Sequence, residues 1–404
     1  MNSTFPKFYQ KTRTERLNLL MTAGFLSQES AELLMNSPLL DETIANSLIE
    51  NQLTQFPLPM GVALNFIVDG HAVIIPMVVE EPSVIAAASN GAKIMAKLGG
   101  FQTTSTERAL IGQIILQDVP DLQLAKQIIE ERQEELIAYT KTIHPSIVAR
   151  GGGVTAIETR IILNEEKLPE FLTIHLLVDV KDAMGANIVN TILEGAGKQV
   201  TAWIGGEALM TILSNYNDHS LVTATCQVDV SDLTTTTLDG LELAKKIVAA
   251  SRYAKLDPYR AATHNKGIMN GIDSVLIATG NDPRAVSAGA HAYTARNGRY
   301  QGMSEWTLDD TKKRLSGQLT LPMPVGAVGG AISVLPLAKI SQELLGTTHA
   351  SSLAGIIVSV GLAQNFSALK ALVSEGIQRG HMSLHTKSLA IHAGAISEEV
   401  DELT

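Results

Sequence analysis

Cysteine is almost absent from this chain: Cys226 stands alone among 404 residues, which excludes an intrachain disulfide framework and any multi-thiolate metal site. An excess of positive charge is also missing. Lys and Arg number 31 against 41 Asp and Glu, a net charge of −10, and a generic nucleic-acid binder needs a clustered basic field instead. Standard nucleotide and hydrolase signatures are lacking. Gly195-Ala196-Gly197-Lys198 superficially suggests a P-loop, but Ile192 stands where its first glycine belongs and no Ser or Thr follows the lysine. No Gly-x-Gly-x-x-Gly follows a strand, and no Gly-x-Ser-x-Gly elbow occurs.

Two uncharged stretches reach the length of a membrane span. Residues 315–338 are broken by Pro322, Pro324, Pro336 and several glycines, which fits a loop entering a packed segment. Residues 350–369 read as a helix apolar all round, interrupted by Ser, Gln and Asn, as a helix buried in a large core would be. The N-terminus has no apolar run of the signal-peptide kind. The expectation is a soluble, cytoplasmic protein without membrane or nucleic-acid partners.

At roughly 150 residues per domain the length predicts two or three domains. Thr14–Ala23 and Asp41–Asn51 read as capped helices, and Ala72–Val79 as a strand. Glu80, Glu81 and Pro82 then lead into a helix that Gly99-Gly100 stops. From 108 to 230 the order reads strand, long helix (from Asp121), strand, strand, helix (from Ala186), and a last strand at 220–230. That β-α-β-β-α-β order is a split βαβ unit. We therefore expect an α+β fold. A large, mostly helical domain (1–107 and 231–374) holds an inserted ferredoxin-like domain (108–230), and 375–404 form a short C-terminal lid.

Four places in the sequence are candidates for chemistry, each with a plainer reading beside it. His381 and His385 are spaced to share a helix face, as zinc ligands, as a general acid, or as ordinary packed or surface histidines. Residues 257–289 concentrate Arg260, His264, Asn265, Lys266, Asn270 and Asp282 among glycines. That is either a carboxylate clamp with an ammonium to polarise a carbonyl, or a solvated loop. Asp182, Gly185 and Asn187 sit at a strand-to-helix turn, where free N–H groups hold phosphate or simply cap a helix. Cys226 reads as a packed core thiol.

Taken together, EEPSVIAAAS from Glu80, DVKDAMGANIVNT from Asp179, DPYRAATHNKGIMNGI from Asp257, ATGNDPRAVSAGAHAY from Ala278, LPMPVGAVGG from Leu321, GLAQN from Gly361 and EGIQRGHMSLH from Glu375 span nearly the whole chain. They closely resemble the class II, bacterial form of 3-hydroxy-3-methylglutaryl-CoA reductase. The resemblance implies reduction of hydroxymethylglutaryl-CoA to mevalonate and CoA, through mevaldehyde, with two hydrides from NAD(P)H. It implies Lys266 over the carbonyl oxygen with Asp282 hydrogen-bonded to it, His381 protonating departing CoA, and Glu81 as the acid of the aldehyde step. For that last role the glutamic acid would need burial, which its apolar flanks permit. Ser83, Arg260 and Asn270 match the carboxylate clamp; Asp182, Met184, Gly185 and Asn187 match the cofactor motif. No metal is implied. At least a homodimer is implied, with its sites near the subunit interface.

Between Leu136 and Ile157 there is no acidic residue before Ile157, while Lys141, His144 and Arg150 are present. A 2′-phosphate is read by cations, so NADPH is expected over NADH. Two departures from the family pattern stand out. Thr54 replaces the glycine of the Glu-Asn-x-x-Gly segment at Glu50-Asn51, and the chain ends before the family's usual helical extension. The same enzyme run oxidatively on mevalonate, and a His-dependent metallohydrolase, are the alternative readings.

Overall fold

The alternating segments collect into two sheets, each with its own apolar face to bury. The structure, a computed structural model, describes residues 4–36, 40–374 and 376. It opens with α1 (Arg13–Thr22), α2 (Gln28–Asn36) and α3 (Glu42–Leu48). The hairpin β1 (Met60–Val68) and β2 (His71–Val78) follows, then α4 (Val84–Met95) and β3 (Phe101–Ser105). Asp69 and Gly70 both have positive φ, as the two-residue turn of a twisted hairpin requires. Thr12, rather than Thr14, caps α1 and forms a capping box with Glu15.

Next come β4 (Leu110–Gln117), α5 (Leu122–Glu131), α6 (Gln133–Ile143), α7 (Pro145–Ala149), β5 (Gly153–Leu163), β6 (Pro169–Asp179), α8 (Ala186–Ile204) and β7 (Glu207–Leu213). These four strands form one antiparallel sheet in the order β5-β6-β4-β7. The single long helix expected from Asp121 breaks at Arg132, whose guanidinium lies 3.6 Å from the Trp203 ring centroid and bonds Glu135. Ile114, Leu116, Leu172, Ile174, Leu176 and Val178 face Ile192, Leu193, Ala196 and Val200 of α8 in a separate core.

The strand expected to complete this sheet does not do so. β8 (Leu221–Asp229) lies between β3 and, from the last third of the chain, β10 (Arg314–Pro322), with β9 (Ser304–Asp309) at the edge. The shorter β7, whose residues are mostly exposed, takes the place expected for it. Alternation alone reports that one face of a strand is buried, not which sheet buries it. The large unit, besides its many helices, holds the six-stranded sheet β2-β1-β3-β8-β10-β9, which was not expected. Part of residues 315–338, read as loop, is β10.

The remaining helices are α9 (Gly240–Leu256), α10 (Pro258–Ala278), α11 (Pro283–Thr294), α12 (Pro336–Leu345) and α13 (Ala350–Val373). The polar stretch at 257–289 is mainly helix. Asp257 caps α10 through the Arg260 N–H at 2.7 Å, Pro258 occupies its first position, and Ala261, Ile268, Ile272, Val275 and Leu276 give it a buried stripe. α13 is long and apolar enough to cross a bilayer, yet it runs through the core against α10, α4 and the large sheet. Facing glycines let α10 and α13 approach closely: a Cβ on Gly271 would meet Val360, and one on Gly361 would meet Ile268 and Ile272.

Candidate active site

β2 ends at Val78 and the chain turns through Glu80 to Pro82 before α4 begins. Ser83, at the N-cap of α4, holds a left-handed φ of 73°, a conformation costly for a residue with a Cβ and often stored at functional turns. This turn presents Glu81 to α10. The Nζ of Lys266 donates to Glu81 Oε2 at 2.8 Å, and Asn270, one turn further along α10, lies 3.4 Å from the same oxygen. Both members of the ion pair stay open to solvent, with 61% of the Lys266 side chain and 38% of the Glu81 side chain exposed. The burial that apolar flanks suggested for Glu81 is therefore only partial. Arg260 is half-buried near the start of α10, and burial lowers its pKa.

A second group of motifs meets elsewhere. The Asp182 carbonyl accepts from Ala327 N at 2.8 Å and Val328 N at 3.1 Å, and its carboxylate accepts from Ala350 N at 2.8 Å, capping α13 from outside that helix. His349 Nδ1 lies 3.5 Å from the same carboxylate. Gly326 has no room for a Cβ against Met184, and Asn281 holds both backbone polar groups of Gly326, accepting from its N–H at 2.8 Å and donating to its carbonyl at 3.1 Å. Gly185 enters α8 at φ 88°, with no side chain among the described residues capping the helix. The stretches from Asp179, Ala278 and Leu321, far apart in the sequence, thus form one loop cluster at the α8 N-terminus.

Asp282 belongs beside this second cluster. It caps α11, accepting from Arg284 N at 2.9 Å and Ala285 N at 3.3 Å and from the Arg284 guanidinium at 3.1 Å. Burial works against its charge, but these hydrogen bonds outweigh it and hold its pKa below the ordinary value. Among the described residues Asp282 is not bonded to Lys266, whose ammonium is paired with Glu81. His381 and His385 lie outside the described residues, as does nearly all of the 375–404 segment.

Arg108 was not anticipated. Its Nη2 donates to the carbonyls of Ala183 (2.9 Å) and Val325, pinning the two loops together, while its Nε and Nη1 have no partner among the described residues. Burial lowers its pKa, against the opposing field of Asp182 and Asp179. An arginine directly before an apolar strand was its only signal in the sequence. Cys226 is buried in β8 as expected, and burial drives its thiol pKa far upward, so it is inert.

The hydroxymethylglutaryl-coenzyme A reductase family model matches residues 12–386. The chain belongs to this family. It is 43% identical over 404 residues to a 3-hydroxy-3-methylglutaryl-coenzyme A reductase of Archaeoglobus fulgidus, covering all of this chain and 90% of that one. A probable reductase of Borreliella burgdorferi is 33% identical over 351 residues, covering 86% and 79% of the two chains. Among solved structures, the Streptococcus pneumoniae reductase superposes with a TM-score of 0.90 at 47% identity, covering 98% of this chain and 94% of that chain. A class II structure from the same organism, described as bound to NADPH in open conformations, gives 0.89 at 46% identity over 92% of this chain and all of that one. A hydroxymethylglutaryl-CoA reductase therefore carries both clusters described above: an ammonium–carboxylate pair between α10 and the turn after β2, and a helix N-terminus held by glycine-rich loops.

Proposed function

We propose that this reductase converts 3-hydroxy-3-methylglutaryl-CoA to mevalonate and CoA with two equivalents of NADPH. The observation that carries the site assignment is the Lys266–Glu81 pair, with Asn270 on the same carboxylate oxygen. Reducing a thioester builds negative charge on its carbonyl oxygen, and the Lys266 ammonium stabilises that charge best if already held in place. Glu81 holds the ammonium and, once protonated, supplies the proton that the aldehyde oxygen needs in the second reduction. Arg260 clamps the distal carboxylate of the substrate, with Asn270 and Ser83 completing its polar surround. His381 supplies the proton for the departing CoA thiolate. Asp282 acts from the neighbouring cluster, where its charge is secured by Arg284.

The antiparallel unit of β4 to β7 is read as a ferredoxin-like, split βαβ cofactor domain inserted in the larger one, with the segment from 375 closing over the site. The residues at the α8 N-terminus fit a dinucleotide: uncapped N–H groups follow Gly185, and the loop from Asp182 to Asn187 is braced on three sides. The dinucleotide supplies hydride when bound. Support for NADPH comes from charge. Gly152 packs so tightly on the Asp179 carbonyl that the turn carrying Arg150 sits beside Lys181 and the cofactor loop. Ile49, Leu53, Phe56, Tyr253, Leu256 and Tyr259 are exposed large apolar residues, which supports a homodimer or a larger assembly built from one.

The test is the loss of NADPH absorbance with hydroxymethylglutaryl-CoA, then with NADH in its place. The reverse assay takes mevalonate, CoA and oxidised cofactor. Absence of turnover in both directions rejects the reading, and a rate with NADH equal to that with NADPH rejects the cofactor preference. Light scattering showing a monomer rejects the assembly.

A further inference from the structure

Behind the exposed face of α10 lies a buried polar knot that the reaction itself does not require. Trp306 of β9 donates its indole N–H to Asn365 Oδ1 at 2.8 Å, and Ser304 Oγ lies 2.8 Å from the same oxygen. Asn365 Nδ2 lies 3.1 Å from His264 Nε2, and Ser304 Oγ lies 2.8 Å from that nitrogen. His264, Ser304, Trp306 and Asn365 are each at most 2% exposed. An indole nitrogen can only donate, so Trp306 fixes which end of the Asn365 amide is oxygen. In the tautomer that carries its hydrogen on Nδ1, His264 Nε2 accepts from the other end of that amide, and the Ser304 hydroxyl hydrogen is shared between Nε2 and Asn365 Oδ1. That Nδ1 has no partner among the described residues. A buried donor left unpaired is costly, and a partly satisfied network is worse for stability than an apolar core. The knot must therefore be retained for what its directional bonds hold in place.

We propose that Asn365 is a positioning residue for the reductive step, acting through His264 to fix the rotation of α10 and so the place of Lys266. His264 and Lys266 are two residues apart on the helix and project to nearly opposite faces. The buried face is tied to α13 and β9 by the knot, and the exposed face reaches Glu81. Farther along α10 the helix meets α13 through close packing around Gly271 and Gly361. The Lys266 nitrogen stands roughly 8 Å from the helix axis, so a rotation of about 10° moves it by more than 1 Å. A shift of that size at a reacting centre costs on the order of 100-fold in rate. The inference rests on the reading of Lys266 given above.

The experiment compares full-length Asn365→Leu, His264→Leu, His264→Gln and Phe366→Leu with the parent. Each is assayed for kcat and for KM toward hydroxymethylglutaryl-CoA and NADPH, below its measured melting temperature. Asn365→Leu and His264→Leu each lower kcat about 10- to 100-fold while KM for NADPH stays within twofold. His264→Gln, which keeps an acceptor for the Asn365 amide, recovers kcat to within about threefold. Phe366 packs on Trp306 with ring centroids 5.4 Å apart but takes no part in the hydrogen bonds, so Phe366→Leu loses stability and keeps kcat. The proposal is overturned if either leucine variant keeps kcat within twofold, or if Phe366→Leu loses as much activity as they do. A parent without reductase activity overturns the underlying reading and this inference with it. An active parent with indifferent variants overturns this inference alone.

Discussion

Lys266 Nζ and Glu81 Oε2 meet at 2.8 Å across 185 residues of sequence, one on a helix and the other on the turn after β2. Neither side chain is buried deeply enough for the pair to be chiefly a stabilising contact, since exposed ion pairs contribute little. An arrangement that holds an ammonium and a carboxylate together while leaving both accessible suits two steps of opposite demand on the same oxygen.

Lys266→Ala is expected to lower kcat for thioester reduction by about 100- to 1,000-fold, the usual cost of losing one oxyanion donor. Its thermal unfolding should match the parent because the side chain is mostly exposed. Stopped assays of cofactor oxidation, with melting curves on the same samples, check both halves. Turnover near the parent rate removes Lys266 from the chemistry.

Glu81→Gln separates the two reductions. It keeps the shape and one acceptor for Lys266 but has no proton of suitable acidity to give. Reduction of added mevaldehyde should fall about 100-fold or more, at the low end of general acid catalysis. An equal loss in both reductions would assign Glu81 to holding Lys266 and nothing else.

Much of this site was legible in the sequence because the residues come in contiguous blocks. Glu81 and Ser83 share one turn; Arg260, Lys266 and Asn270 share one helix. What was not legible depends on partners distant in sequence. β8 alternates as any half-buried strand does, and only its pairing with β3 and β10 assigns it to the large sheet. Asp282, expected from the family resemblance to bond Lys266, accepts instead from two backbone N–H groups at its own helix end among the described residues. The family glycine replaced by Thr54 leaves no strain there. The positive φ of that segment falls on Asn51, a residue that tolerates it.

Gly185→Ala should damage cofactor binding more than substrate binding. An added Cβ would lie 2.7 Å from Val180 and 2.8 Å from Leu110 side-chain atoms, at a φ of 88°. The combined strain is on the order of 1–3 kcal/mol, relieved only by moving the first turn of α8. A raised KM for NADPH with KM for hydroxymethylglutaryl-CoA unchanged is the expected result in steady-state assays. The opposite split would dissociate this helix end from the cofactor.

Arg150→Glu tests the charge argument for the 2′-phosphate. The side chain is exposed and, among the described residues, bonded only to the Ser146 carbonyl, so the fold should not suffer. KM for NADPH should rise about tenfold while KM for NADH holds, as tenfold is the effect of roughly 1.4 kcal/mol in binding. Parallel changes in both constants would move the discriminating cation to another position.

Two groups on α10 pull the pH dependence of stability in opposite directions. Burial pushes Asp273 up to about 6, and one of its oxygens has no partner among the described residues. Between the unfolded value near 4 and the folded value near 6, the folded state binds more protons, so this group costs stability as pH rises through 6. Burial, with the Arg260 charge adding to it, lowers His264 to about 4. There the unfolded state binds the extra proton between about 6.5 and 4, so stability falls as pH drops through that window. Denaturant titrations at pH 7 should find Asp273→Asn more stable than the parent by about 1 kcal/mol, after discounting for the water that still reaches the side chain. The gain should vanish toward pH 4, where the parent's carboxylate is protonated as well. A gain independent of pH would mean that the aspartate is paired and charged, and that the strain lies in packing instead.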